Sequence, residues 1–190
     1  MTKSAPSPRY FAFLRAINVG GHVVTMETLR RLFDAAGCTD VETFIASGNV
    51  IFRSSAKDID TLRKAIERRL EASLGYAVDT FIRSEAELAA VARYAPFSAA
   101  RRAAARALNV AFLVEPLPRS AEKTIKALET DVDAFQVNGR EVYWLCAMSQ
   151  SDSKFNNVVF ERTLKTRATW RNINTVMRLA AKYQLGPQSS

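Results

Sequence analysis

Two short segments near the N-terminus carry residue types that bind anions. The first, residues 15–21, reads Arg-Ala-Ile-Asn-Val-Gly-Gly and follows an apolar run, and the second, residues 47–49, reads Ser-Gly-Asn. Arginine pairs well with carboxylate or phosphate, and the first segment leads into a predicted helix whose free N–H groups favour an anion. We therefore predict a small anion-binding cleft formed by Arg15, Asn18, Gly20, Gly21, Ser47 and Asn49.

A third polar cluster, residues 170–176, reads Trp-Arg-Asn-Ile-Asn-Thr-Val. Asn172 or Asn174 can cap the final helix, but capping explains only one of the two asparagines. We therefore add Arg171 and Asn172 to the predicted ligand-binding residues. In all three segments the competing interpretation is structural, because glycines serve turns and short polar side chains satisfy backbone groups. The sequence leaves open whether the third cluster reaches the first two.

Patterns typical of catalysis are scarce. The chain has one histidine, His22, so a histidine-based metal cluster is excluded. The sequence contains no Gly-x-Ser-x-Gly elbow and no phosphate-binding Gly-x-x-x-x-Gly-Lys-Ser/Thr loop. The acid pairs 58/60 and 131/133 are typical of helix starts and turns. We can name no nucleophile or base, we expect no cofactor or metal, and the sequence leaves open whether the protein is an enzyme.

Hydrophobic periodicity predicts the order β-α-β-β-α-β in the first half of the chain. The expected strands are residues 10–15, 41–46, 50–53 and 77–83, with residues 47–49 as a tight connection because glycine accepts a positive φ. One helix opens at Thr25 and ends before Gly37, and the other spans residues 58–74. The first two strands run in the same direction in such a unit. The segment after the first strand and the connection at Gly48 are therefore expected at the same end of the sheet.

The same order is predicted again in the second half. Strands are expected at residues 108–114, 132–137, 141–146 and 166–169, and helices at 120–128, 153–164 and 172–183. Ala12-Phe13-Leu14 recurs as Ala111-Phe112-Leu113 at an offset of 99, from 12 to 111. The pattern Phe-x-x-x-Gly ending at Gly48 recurs at Gly139 at an offset of 91. These matches agree with the element order and indicate an internal duplication.

The predicted fold class is therefore α+β, with two ferredoxin-like halves whose antiparallel sheets carry helices on one face. We expect the first half at residues 9–84, a helix and connector at 85–107, and the second half with a C-terminal helix at 108–184. Residues 1–8 and 185–190 are expected to be tails.

Composition fits a folded soluble protein, with 48% apolar and 24% charged residues among 190. No apolar run approaches the roughly 20 residues that cross a bilayer, and the first eight residues lack the apolar centre of a secretory signal. We therefore expect a cytoplasmic protein without a membrane partner. Cys38 and Cys146 are then expected to be reduced, partly buried thiols.

The net charge of +8 favours anionic partners in general and supports an alternative function in nucleic-acid binding. RNA-recognition domains share the ferredoxin-like order and stack bases on aromatic residues of the first and third strands. Here Asn49 and Ile51 occupy the third-strand places, so we interpret the aromatic residues of the first strand as core. A further alternative is a non-catalytic interaction protein. The oligomeric state is not indicated by the sequence.

Three segments together resemble the signature segments of a bacterial family catalogued as domain of unknown function 1697. They are residues 14–21, 47–52 and 171–176, and the resemblance extends from Tyr10 to about Tyr183. The family usually shows Arg-Gly-Ile-Asn and Arg-Asn-Trp-Asn-Thr, and this chain has Ala16 and Ile173 at the variable places. The resemblance implies two similar ferredoxin-like halves. It implies no activity and provides no catalytic residues to carry over.

Overall fold

The structure, a computed structural model, describes residues 6–18 and 23–186. The chain divides into two compact units, residues 1–88 and 89–190. The division falls inside a helix, α3, that spans Glu85–Arg93. Each unit contains its own four-stranded sheet.

The first unit contains one antiparallel sheet with strand order β2-β3-β1-β4. Its element order is the predicted β-α-β-β-α-β, followed by α3. The elements are β1 (Arg9–Leu14), α1 (Met26–Ala35), β2 (Thr39–Phe44), β3 (Ala46–Arg53), α2 (Ile59–Leu74) and β4 (Thr80–Ser84).

The second unit contains an antiparallel sheet of equivalent order, β6-β7-β5-β8. It begins with α4 and ends with α7, and between them the predicted β-α-β-β-α-β order recurs. The elements are α4 (Ala99–Ala104), β5 (Ala107–Phe112), α5 (Arg119–Lys126), β6 (Asp133–Asn138), β7 (Glu141–Cys146), α6 (Asn157–Leu164), β8 (Thr169–Asn172) and α7 (Ile173–Lys182). The predicted class, α+β with two antiparallel sheets in repeated halves, is confirmed.

Strand register shows which positions of the two halves correspond. Phe13 pairs with Asn49 in the first sheet, and its counterpart Phe112 pairs with Glu141 in the second. The third strands therefore correspond at an offset of 92, from 49 to 141. The predicted offset of 91, which matched Gly48 with Gly139, is wrong by one residue.

Each sheet buries one face against its own helices, because successive strand residues point to opposite faces. In the first half, Leu29 and Phe33 of α1 and Leu62, Ile66 and Leu70 of α2 are buried in one apolar cluster. The sheet contributes residues from all four strands to this cluster, namely Ala12, Leu14, Val41, Val50, Phe52 and Ile82.

The core of the second half follows the same plan. Ile125 of α5 and Phe160 of α6 pack with residues from all four strands and with Phe155. The strand residues in this cluster are Ala111, Phe135, Val142, Trp144, Cys146 and Trp170. Three indole and phenyl rings meet there, since the centroids of Trp144 and Trp170 lie 4.8 and 5.8 Å from that of Phe155.

The connection between β2 and β3 differs from the prediction. The third strand begins at Ala46, so residues 47–49 lie within β3, and the turn is made at Ile45 with φ 64°. Gly48 is not among the described residues with positive φ, whereas Gly139 in the β6–β7 turn has φ 59°. Sequence reasoning placed the turn at Gly48 because glycine accepts a positive φ. In the structure a β-branched residue, which rarely adopts a left-handed conformation, makes the turn instead.

Two predicted elements in the second half are displaced along the chain. Helix α6 begins at Asn157, not at residue 153, because Asn156 caps it by accepting a hydrogen bond from the Val159 backbone N–H. Ser153 instead donates its hydroxyl to Asp133. The last strand spans Thr169–Asn172, three residues beyond the predicted 166–169.

In both halves the last strand runs directly into a helix. Ser84 ends β4 and accepts a hydrogen bond from the Glu87 N–H, and the Glu87 carboxylate accepts from the Ser84 N–H. Asn172 ends β8 and accepts from the Asn174 N–H, so the predicted capping role of Asn172 is confirmed. Within residues 6–18 and 23–186, no helix combines the length and the apolar character that crossing a bilayer requires.

The two thiols are free and buried in the separate cores. Burial, assisted by the nearby Asp34 carboxylate, raises the pKa of the Cys38 thiol to about 12. Burial also raises the pKa of Cys146, whose thiol donates to the Met148 carbonyl.

We predict that a disulfide reagent at pH 8 modifies neither cysteine rapidly in the folded protein, because the thiolate is the reactive form. Unfolding in guanidinium should expose two rapidly reacting thiols, and fast reaction without denaturant would contradict the burial of both.

Ala16 has a left-handed backbone with φ 56°. The sequence resemblance described above implies glycine as the usual residue at this position. This conformation costs a non-glycine residue roughly 1–2 kcal/mol, part of which glycine loses again through greater freedom in the unfolded chain. We predict that Ala16→Gly raises the free energy of unfolding by about 0.5–1 kcal/mol in urea denaturation. The control is Ala103→Gly in α4, which should lower the stability because the alanine there is helical.

Candidate functional site

The predicted site residues of the first half lie at one end of its sheet. Phe13, the penultimate residue of β1, pairs with Asn49, so the chain leaves β1 beside the start of β3. The expectation that these two segments share an end of the sheet is therefore confirmed, with the turn at Ile45 in place of Gly48. We call this end, with Arg15, Asn18, Ser47 and Asn49, the first-half rim.

Arg15 continues from β1 toward the strand on its other side. Its backbone N–H donates to the Asp79 carbonyl at 2.9 Å, and its guanidinium lies 3.7 Å from the Asp79 carboxylate. About a quarter of each of these two side chains is exposed. The separation is longer than that of a charge-assisted hydrogen bond, typically about 2.7–2.9 Å. The pair is therefore loose and accessible to solvent.

The two asparagines of the first-half rim bond to backbone groups of the chain. The side-chain oxygen of Asn18 accepts a hydrogen bond from the Val24 N–H at 3.0 Å. Asn49 is 3% exposed and donates its amide to the carbonyl of Phe44 at 3.0 Å, which fixes the turn at Ile45. These contacts give both residues a structural role.

Three other predicted residues are described only in part or not at all. Gly20 and Gly21 lie outside the described residues, as does His22. Ser47 lies in β3. A binding role for these residues stays a prediction.

The predicted residues Arg171 and Asn172 lie in the second half, at the end of β8. They border a cavity of about 380 Å³ on the side of the sheet that α6 covers. We call it the β8 cavity. Its lining consists of Asn109, Trp144, Gln150, Phe155, Asn156, Asn157, Trp170, Arg171 and Asn172.

The side chains of the β8 cavity are placed by cross-strand pairing. Asn109 of β5 pairs with Trp144 of β7 on one side and with Asn172 of β8 on the other, so these three share a face. Trp170 is two residues from Asn172 on the same strand and lies on that face as well. Arg171 is on the opposite face, where its guanidinium donates to the Thr169 hydroxyl and to the Trp170 carbonyl. Burial lowers the pKa of Arg171 to about 10, which leaves it charged at neutral pH.

Both indole N–H groups of the chain are held by hydrogen bonds. Trp144 donates to Asp133 at 2.7 Å, and Trp170 donates to Asn157 at 2.9 Å. Asp133 is 2% exposed and also accepts from the hydroxyls of Ser153 and Thr130. These hydrogen bonds therefore fix the orientation of both indole rings.

A second cavity in this half, of about 450 Å³, runs along α5 and β6. Its charged residues, Glu122, Lys123 and Lys126, are exposed, and Lys126 pairs with Glu129 at 3.2 Å. It lacks the buried amide that marks the β8 cavity, so it is the weaker candidate for a binding site.

The sheet aromatics do not form an exposed platform for bases. Phe11 and Phe13 of β1 are 1% and 0% exposed, which confirms their interpretation as core. Stacking of RNA bases on this strand, as in RNA-recognition domains, is not available to these two rings. In the part of the chain that the structure describes, no group of three or more histidine, cysteine or acidic side chains is arranged to hold a metal ion.

Sequence reasoning missed the central residue of the β8 cavity, Asn109. The signal was present in the repeat, because the offset of 99 aligns Asn109 with Tyr10. A polar residue at an inward-facing strand position that is aromatic in the other copy indicates an opening in the core. Trp144 and Trp170 could be recognised only once the strand pairing was known.

The architecture defines a class: an α+β protein of two repeated halves, each with a four-stranded antiparallel sheet. The chain belongs to the family described as "Protein of unknown function (DUF1697)", whose model matches residues 8–143. The resemblance seen in the sequence is thus confirmed, and Arg171 and Asn172 lie beyond the matched residues.

Comparison with solved structures agrees with this fold. The conserved bacterial protein SP0830 from Streptococcus pneumoniae is similar with a TM-score of 0.68 and 22% identity, over 93% of this chain and 98% of that chain. At this identity the similarity shows the fold alone. Among curated proteins, none matches the chain.

We predict that Asp133→Asn lowers the free energy of unfolding by about 2 kcal/mol. The carboxylate of Asp133 accepts hydrogen bonds from the Trp144 indole and the Ser153 hydroxyl, and the asparagine replaces one of its oxygens by an N–H₂ group that cannot accept. Urea denaturation followed by tryptophan fluorescence measures the loss. Asp131→Asn, at an exposed position two residues earlier, is the matched control and should change stability little. Equal stability of both variants would show that the Asp133 contacts contribute nothing.

Proposed function

We propose that the protein binds a small anionic or phosphorylated ligand at the first-half rim. The observation that carries this proposal is the register of β1 with β3, which brings the segment after β1 to the same end as the β2–β3 turn. Arg15 supplies a partly exposed guanidinium there. In this proposal Gly20, Gly21 and Ser47 complete the site, Asn18 bonds the Val24 N–H, and Asn49 holds the β2–β3 turn.

Backbone strain at the rim supports a functional role. Ala16 follows Arg15 with φ 56°, and Ile45 makes the adjacent turn with φ 64°. A β-branched residue with a left-handed backbone conformation is a conformational outlier. Such strained positions concentrate at ligand sites and tight turns. Ile45 is also 58% exposed, so burial of its side chain does not account for its presence in this turn.

The loose Arg15–Asp79 pair allows exchange of partners. At 3.7 Å the carboxylate makes a weak interaction with the guanidinium, and both are in contact with solvent. The oxygens of a phosphate group can accept two parallel N–H hydrogen bonds from arginine. The Asp79 carboxylate, at 3.7 Å from the Arg15 guanidinium, is too far away to accept such a pair. The ligand would thus compete with Asp79 for the Arg15 guanidinium.

Inorganic phosphate and pyrophosphate are the probes, with chloride at equal ionic strength as the reference. At about ten times the Kd, specific binding stabilises the folded protein by about 1.4 kcal/mol and raises Tm by roughly 3–6 °C. We predict that Arg15→Ala removes this rise. Asp79→Asn should increase it, because the competing negative charge is gone while the shape is kept.

Arg31→Ala is the matched control, since it removes the same charge from an exposed position on α1. It should retain the rise in Tm that the wild-type protein shows with phosphate. If Arg15→Ala is stabilised as much as the Arg31→Ala variant, the first-half rim is not the binding site.

A further inference from the structure

The second half has an opening where the first half has a filled core. In the first half, Tyr10 lies opposite Phe52, and the two rings stack with centroids 5.7 Å apart. The offsets of 99 and 92 place Asn109 and Trp144 at these positions in the second half. An asparagine in place of a tyrosine ring leaves space beside the indole, and the β8 cavity lies there.

Asn109 lines this space and carries an unsatisfied donor. The residue is 4% exposed, and within the described part of the chain its buried Nδ2 atom has no hydrogen-bond partner. Buried polar groups of this kind are rare, because an unmade hydrogen bond costs free energy. A rotation of the side chain toward an acceptor atom in the cavity would satisfy this amide.

The other amides around the cavity also present donors. The Oδ1 atoms of Asn156 and Asn172 accept backbone N–H groups as helix caps, and the Oδ1 atom of Asn157 accepts the Trp170 indole N–H. An amide whose oxygen is used in this way has its two N–H donors left for other acceptors. The polar side of the cavity is therefore rich in donors, and no acidic residue lines it.

The apolar side consists of aromatic rings. Trp144 and Phe155 are 6% and 5% exposed, and Trp170 is half-buried with its ring 5.9 Å from that of Trp144. Flat rings pack favourably against such faces and edges. A cavity of this volume is at the small end of the range typical of ligand pockets, about 300–1,000 Å³.

We infer that the β8 cavity is a binding site for a small aromatic carboxylate. The ring of the ligand lies against Trp170, and its carboxylate accepts hydrogen bonds from the amides of Asn109, Asn157 and Asn172. A carboxylate accepts hydrogen bonds and donates none, which matches a lining that donates. This inference does not rest on the proposed function, because every residue and probe involved is different.

Both tryptophans of the chain line the cavity, so their indole N–H signals report on it directly. Benzoate is the probe, titrated into ¹⁵N-labelled protein while the two indole signals are followed by NMR. Acetate tests the carboxylate without the ring, and benzylamine tests the ring with a donor in place of the acceptor. Benzoate should shift the indole signals at a concentration at least roughly tenfold lower than either of the other two, since each of them lacks one of the two interactions.

Two variants test the donors. Asn172→Asp keeps the size and the helix cap but replaces the amide donor by a negative charge, and it should abolish the benzoate shifts. Asn109→Leu removes the buried donor and should weaken benzoate binding roughly tenfold. Asn174→Asp introduces the same charge two residues away, at an exposed position outside the lining, and should still bind.

Indole signals that stay in place when benzoate is added to the wild-type protein would overturn the inference, and so would equal shifts with benzylamine. Benzoate affinities for Asn172→Asp and Asn109→Leu that equal the wild-type value would overturn it as well. The wild-type titrations decide the question even if Asn109→Leu does not fold. A rise in Tm with phosphate that depends on Arg15 concerns the first-half rim and leaves this result unaffected.

Discussion

The register of the inner strands β1 and β5 with their neighbours is the constraint on which both halves depend. Side chains alternate between the two faces of a strand, so a slip of one residue would exchange every core position with the opposite face. In the first half this register aligns Tyr10 with Phe52 and Ser84, and in the second it aligns Asn109 with Trp144 and Asn172. The same backbone arrangement thus produces a packed core in one half and a cavity in the other.

The duplication is visible in a pair of arginines, Arg83 and Arg171, that occupy equivalent positions in the two sheets. Arg83 pairs with Phe11 in the first sheet, and Arg171 pairs with Val110 in the second, at equivalent positions. Each donates from Nη1 to the carbonyl of the residue before it, at 2.9 and 2.8 Å. Arg83 is 1% exposed. Both arginines thus have one contact in common.

The fold was predictable from the sequence because periodicity and caps act locally. The stripes on α1 and α2, the cap at Thr25 and the left-handed Gly75 at the end of α2 each leave a signal within a few residues. The β2–β3 turn was not predictable, because Ile45 adopts a conformation that its side chain disfavours while the neighbouring Gly48 does not need the freedom it has. Pairing of β2 with β3 and the hydrogen bond from the Asn49 amide to the Phe44 carbonyl define the turn at Ile45.

The candidate sites were predictable only in part, for a related reason. Arg15, Asn18 and Asn49 lie in two short polar segments, so local composition marked them. Asn109 and Trp144 come together through pairing across 35 residues, from 109 to 144, and neither carries a local signal of its own. Long-range pairing of this kind becomes visible only when the two halves are aligned with each other.

Asn172 is the last residue of a strand and the cap of the following helix, and this double position limits how the protein can diverge. Helix caps accept asparagine, aspartate, serine and threonine at similar cost, so exchanges among these four preserve the junction. Of these four residues, asparagine carries an amide, aspartate carries a negative charge, and serine and threonine carry a hydroxyl. Homologues can therefore change the chemistry at this edge of the β8 cavity by single substitutions while the scaffold stays intact.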